Sequence, residues 1–318
     1  MRLPRFRWLL LAVVLLAALA TAVIFVQRER LAADYLTHGR ELVAHGRPRS
    51  ALGDFTLAIL LTPQEHAGYL DRARAYQALQ MPREAVADLT TAIALAPEQP
   101  ELHYLRALLL AGPLRDPRSA VHDFDTVLRL EPTRAEVYYR RGLAYEQINN
   151  SQHALKDYTR AIELQPDMAE AYLQRAGIHA RFRQRPRQIA DLTAVLRLRP
   201  EATELYAQRG RAYLAERAFA EAVADFDRVL QRQPYAHLHF DRGTAHLNLG
   251  QYRAAIADFN RALRRNPFAI AAYYNRARAY SALGETRRAR VDWTIVCELQ
   301  ASGQSEACFQ AQSGYRNL

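Results

Sequence analysis

Lysine is all but missing from this chain: Lys156 stands alone beside 42 arginines in 318 residues. The formal charge of +10 therefore has two readings, an arginine-favouring composition or a surface for a polyanion. Setting aside Arg2, Arg5 and Arg7 leaves +7, spread without a run of five like charges. No nucleic-acid stripe is visible. Cysteine is as scarce: Cys297 and Cys308 are the only two, which excludes a secretory disulfide framework and any zinc-like spacing. No P-loop, GxSxG, HExxH, dinucleotide fingerprint or EF-hand loop occurs, so no cofactor, metal or enzymatic activity is expected. The ten histidines are scattered. His103, His179, His239 and His246 read as core histidines, and His237, two residues from His239, would not face it on a helix. Asn149 opens an Asn-Asn-Ser triplet that is an acceptor only in a glycosylating compartment.

One segment has no charge, glycine or proline over nineteen residues, from Trp8 to Val26. A helix rising about 1.5 Å per residue makes this run close to the roughly 30 Å of bilayer hydrocarbon. It reads as an uncleaved anchor, because Val23-Ile24-Phe25-Val26 continues the run past both small-residue sites that could end a cleaved signal, Ala18-Leu19-Ala20 and Ala20-Thr21-Ala22. Arg2, Arg5 and Arg7 precede the run without an acid, whereas Arg28 and Arg30 follow it beside Glu29 and Asp34. That bias keeps the N-terminus in the cytosol and places the body outside, on the periplasmic side of a bacterial inner membrane.

Prolines recur at 63, 97, 132, 166, 200, 234 and 267, at intervals of 34, 35, 34, 34, 34 and 33. Aligning them superimposes Ala51, Ala85, Ala120, Ala154, Ala222, Ala255 and Ala289. Four residues later come Phe55, Leu89, Phe124, Tyr158, Phe226, Phe259 and Trp293, with Gln188 and Leu192 in the fifth unit. Earlier in each unit an aromatic or His precedes Gly or Ala by four, as in Tyr138/Gly142 and Tyr206/Gly210. Spacings of three and four put these on one helix face, so each unit reads as two amphipathic helices ended by Pro. The pattern resembles the tetratricopeptide repeat family over Ala32 to about Ala301. The resemblance implies an all-α solenoid, a right-handed superhelix of about eight helix-turn-helix units over 28–301, after an anchor in 1–27. The tail 302–318 then becomes a candidate cap, which a bond between Cys297 and Cys308 could hold; two unpaired thiols are the alternative.

Arg precedes the Gly/Ala in seven units, and Asp recurs in all eight, from Asp54 to Asp292. Charges repeated this faithfully read as structural pairs. His38 in place of the first Arg suggests that each Asp pairs with the next unit's Arg.

The resemblance implies a concave face lined by the stripe one residue beyond the core positions: Leu36, Leu70, Tyr104, Tyr139, Leu173, Phe240 and Tyr274, with Arg40, Arg74, Arg211 and Arg278 one turn on. These apolar residues either hold a partner or pack adjacent repeats. Gln174, Gln208 and Asn275 stand beside them, interrupted by Arg140 and Asp241, as amides suited to an extended peptide's backbone or simply to water. The function implied is a membrane-tethered scaffold that binds a protein or peptide partner and has no nucleic-acid or cofactor role. Alternatives are a structural subunit that self-associates within a membrane complex, and a secreted soluble protein if the first segment is cleaved.

Overall fold

The computed structural model describes residues 4–232 and 236–299. These form two compact units, Met1–Pro166 and Asp167–Leu318. The first holds α1 (Pro4–Ala44), α2 (Pro48–Leu61), α3 (His66–Ala78), α4 (Pro82–Leu95), α5 (Pro100–Ala111), α6 (Pro117–Leu130), α7 (Ala135–Gln147) and α8 (Ser151–Leu164). The second holds α9 (Ala169–Arg181), α10 (Arg185–Leu198), α11 (Thr203–Ala215), α12 (Phe219–Arg232), α13 (Ala236–Asn248), α14 (Tyr252–Arg265), α15 (Ile270–Ala282) and α16 (Thr286–Leu299). Each odd-numbered helix packs on the even one after it, and each even one on the next odd helix of its unit.

The spaced prolines set the even helices' ends, but not by the missing donor alone. The helices stop two residues earlier, because the residue before a proline is pushed out of the α region. Thr62, Ala96, Glu131, Gln165, Arg199 and Asn266, each preceding such a proline, have φ between −129° and −139°. Pro234 lies outside the described residues. The carbonyl of the same proline is then an acceptor: Tyr69 and Tyr138 donate their hydroxyls to Pro63 and Pro132 at 3.4 and 3.2 Å, and His103 Nε2 lies 3.1 Å from Pro97 O.

The odd helices other than α5 are closed by a left-handed residue. Gln80 (φ 59°) donates its N–H to Gln77 and Met81 to Tyr76, the paired bonds that satisfy a helix's last carbonyls. The same pair closes the turns at Gly46, Asn149, Arg183, Arg217, Gly250 and Gly284.

Between the helices of a repeat, small residues meet large ones. A Cβ on Gly142 would sit 2.6 Å from the Tyr158 ring, and one on Gly210 or Gly243 2.8 or 2.9 Å from Phe226 or Phe259. Tyr158, Phe226 and Phe259 are themselves fully buried, so close approach and large fillers are one feature.

Each recurring Arg holds the Asp of its own repeat, which corrects the expected pairing with the next unit. Arg72 grips Asp88 through Nε and Nη2, both at 2.8 Å. Arg106–Asp123, Arg141–Asp157, Arg175–Asp191, Arg209–Asp225, Arg242–Asp258 and Arg276–Asp292 repeat the bidentate pair. His38 follows suit with Asp54 at 2.7 Å. The remaining nitrogen reaches back to the preceding repeat: Nη1 of Arg72, Arg106 and Arg209 donates to Thr56, Thr90 and Thr193, and that of Arg276 to Asn260.

The first buried side chain described in α1 is Ala32. Arg28, one turn earlier, donates to the Leu61 carbonyl at 2.7 Å and so covers the end of α2. The side chains of Trp8–Val13, Ala17, Ala20 and Ala22 are not among those described. Among the described residues, no helix is long and apolar enough to cross a membrane, so the expected span is not found there.

Candidate functional site

In the first unit the expected binding stripe is occupied by the protein itself. Leu36 packs against Ala51 and Phe55. Tyr104 is buried, its ring 6.3 Å from that of Phe124 and covered by the Arg134 guanidinium at 4.2 Å. Burial, and then a hydrogen bond to Glu136, push its phenol above the usual range. The Tyr139 ring lies 6.0 Å from Tyr158, and Arg140 pairs with Glu136 at 3.2 Å. Arg40 reaches Asp71 on the next odd helix at 2.7 Å, and burial still raises the Asp71 carboxyl against that charge. Arg74 lies between Asp71 and Glu101, at 3.8 and 3.9 Å.

The second unit differs. Its stripe residues are packed too: Phe240 is 6.0 Å from Phe259, Tyr274 meets Trp293 edge-on at 5.0 Å, and Leu173 is half-buried. The neighbouring amides are not taken up in this way. Gln174 on α9 and Asn275 on α15 are half-buried, Gln208 on α11 and Arg278 on α15 are exposed, and none has a side-chain partner among the described residues. At α13 the series is broken by Asp241, which accepts from Arg211 Nε at 2.8 Å. Glu170, at the start of α9, is held below the usual carboxylate range by its hydrogen bond from Arg199.

Beside Arg211 and Asp241 lies a cleft of about 570 Å³, lined also by Phe240, Ala262, Arg265, Asn266, Ala269 and Ala272. Of its lining, Arg211 and Phe240 are the two that the sequence pattern marks as binding residues. The others escaped because a cleft is made by missing bulk: Ala272 stands where the two preceding repeats carry Leu205 and Leu238. Cys297 is half-buried in α16. Cys308 and the tail 302–318 lie outside the described residues.

Residues 135–168 match one tetratricopeptide repeat model, and 70–112, 189–237 and 240–293 match a second, together more than half of the chain. The chain belongs to the tetratricopeptide repeat family. It is similar to a tetratricopeptide repeat protein from Parabacteroides merdae (21% identity, 79% of this chain and 99% of that one, TM-score 0.53). It is similar also to PilF of Pseudomonas aeruginosa (14% identity, 67% and 96%, TM-score 0.52). A third similar structure is YrrB, described as a TPR protein with an unusual peptide-binding site (20% identity, 58% and 94%, TM-score 0.50). At these identities the likeness establishes the fold. No curated protein matches the sequence. As a tetratricopeptide repeat array, the chain is a protein-interaction scaffold.

Proposed function

We propose that the scaffold binds an extended segment of a partner protein along the odd helices of the second unit, and that the apolar start of α1 tethers it to a membrane. The observation that carries the binding face is the set of unpartnered amides, Gln174, Gln208 and Asn275, at one register position on α9, α11 and α15. An amide both donates and accepts, which suits it to the alternating N–H and C=O of an extended backbone. In the first unit the corresponding places are Thr37, bonded to the Ala33 carbonyl, Leu105, packed on the core, and Asp71 and Arg140, held in ion pairs with Arg40 and Glu136, so the second unit is the better binding face. The tether is supported by side chains exposed on every face of α1, Val14, Leu15, Leu16, Leu19, Val23 and Ile24 among them, where water would otherwise meet continuous hydrocarbon. The charge bias around that run favours a cytosolic N-terminus and a periplasmic body.

Two measurements test this reading. Crosslinked capture from intact membranes should lose its specific partner in the triple variant Gln174→Ala/Gln208→Ala/Asn275→Ala, with helical content unchanged; equal capture overturns the binding face. The full chain should stay with membranes through an alkaline carbonate wash, and a chain lacking residues 1–27 should not; retention of the shortened chain overturns the tether.

A further inference from the structure

The cleft beside α13 is more specific than the face on which it opens. Its floor is apolar, from Phe240, Ala262, Ala269 and Ala272. Its polar lining holds two guanidiniums, Arg211 and Arg265, and one carboxylate, Asp241. Arg211 gives Nε to Asp241, while Arg265 has no side-chain partner among the described residues. One positive charge is therefore left over beside a space of about 570 Å³. An apolar floor beside a guanidinium with no side-chain partner is complementary to a ligand that is apolar and acidic at once.

We propose that this cleft is a specificity pocket for one apolar side chain next to one carboxylate, Asp or Glu, within an extended partner segment. The proposal rests on the reading of the amides as a peptide-binding face. It commits to an internal acidic residue rather than a chain terminus, because Gln208 on α11 and Asn275 on α15 flank α13 on both sides. A backbone held by both amides continues past the cleft in each direction. Asp241 narrows the choice further. By neutralising Arg211 it leaves room for a single acid, and two adjacent acids would meet it in repulsion.

The test presents a displayed library of random peptides, about a dozen residues long, to the purified full chain in detergent. Selected peptides should carry Asp or Glu beside a large apolar residue. Arg265→Glu, an exposed change that leaves the core untouched, should weaken them about tenfold and shift selection toward Lys and Arg. Ala269→Leu, which fills the floor, should remove the apolar preference. Peptides that depend on Gln174, Gln208 and Asn275 but lack the acidic–apolar pair, require a free C-terminus, or bind Arg265→Glu unchanged would overturn the pocket and leave the binding face standing. No selection at all, or binding indifferent to the triple amide variant, would overturn both.

Discussion

Arg242 holds Asp258 through Nε at 2.7 Å and Nη2 at 2.6 Å and turns Nη1 to Asp227 of the preceding repeat at 2.5 Å. One guanidinium thereby joins both helices of its repeat to the last helix of the one before. In an array whose repeats touch only their neighbours, such a residue carries coupling as well as local stability. Arg141 does the same with Asp157 and Asp125.

The two arginines should nevertheless differ when removed. Asp157 has Arg141 as its only hydrogen-bond partner among the described residues. Arg141→Met strands a buried carboxylate and should cost roughly 3–5 kcal/mol. Asp258 keeps His239 Nδ1 at 3.0 Å and Arg261 at 3.4 Å, so Arg242→Met should cost clearly less. Amide exchange in the affected helices measures the local loss where unfolding is not two-state. Equal losses would show that the extra partners contribute nothing.

Acid should loosen the α13–α14 repeat in two steps. Burial lowers His239 below its ordinary 6.5, outweighing the Asp258 hydrogen bond that raises it. Burial would lift Asp258, but the Arg242 and His239 contacts outweigh that and hold it below 3.8. Both groups bind protons less readily folded than unfolded. Each contributes stability that is present above its ordinary value and lost as pH falls through the folded one. The first loss begins below pH 6.5 with His239 and the second below 3.8 with Asp258. Exchange rates in α13 and α14 should rise as the pH falls below 6.5, beyond the intrinsic chemical trend, and His239→Gln should flatten that rise. Protection that strengthens toward acid contradicts the assignment.

The period of the prolines and the small–large alternation made the helical array legible, since both follow from local sterics that repeat with the sequence. The partner of each Asp was not legible. A spacing of 16 to its own repeat's Arg and 18 to the next one's are both one helix–turn away, and His38 in the first repeat points to the wrong one of the two. Tyr104 illustrates a second limit. An apolar residue off the core stripe looks the same whether it waits for a partner or, as here, packs under the arginine of the next turn.

The left-handed turn residues were also invisible, because most are not glycine. Gln80, Arg115, Arg183 and Arg217 adopt φ of 53° to 62°, a region costing an L-residue roughly 1–2 kcal/mol. Arg183→Gly and Arg217→Gly should therefore each stabilise the fold by about 0.5–1 kcal/mol, part of the gain being returned through the freer unfolded chain. Gly250→Ala, at φ 73°, should lose a similar amount. Melting temperatures of the three single variants decide the matter, and a fall for both arginine replacements would show that their side chains, not the backbone, dominate these turns.

The tightest approach in the second unit gives the sharpest packing test. A Cβ added at Gly210 falls 2.8 Å from Cε1 of Phe226, a ring with no exposed surface and so no free direction in which to retreat. Gly210→Ala should cost about 1–3 kcal/mol by overpacking, and Phe226→Leu alone should cost about as much through the space it empties. Together they recreate a combination the chain already uses, Ala73 with Leu89 and Ala176 with Leu192. The double variant should therefore be more stable than the sum of the two losses implies, by about 1 kcal/mol or more in a double-mutant cycle. Ala also occurs opposite a larger ring, Ala107 with Phe124 in the third repeat, where the turn is a residue longer, and Ala277 with Trp293 in the last, where it is not. Strict additivity of the two substitutions would mean that Gly210 and Phe226 do not constrain each other, and the contact would then have no bearing on why the small residue stands there.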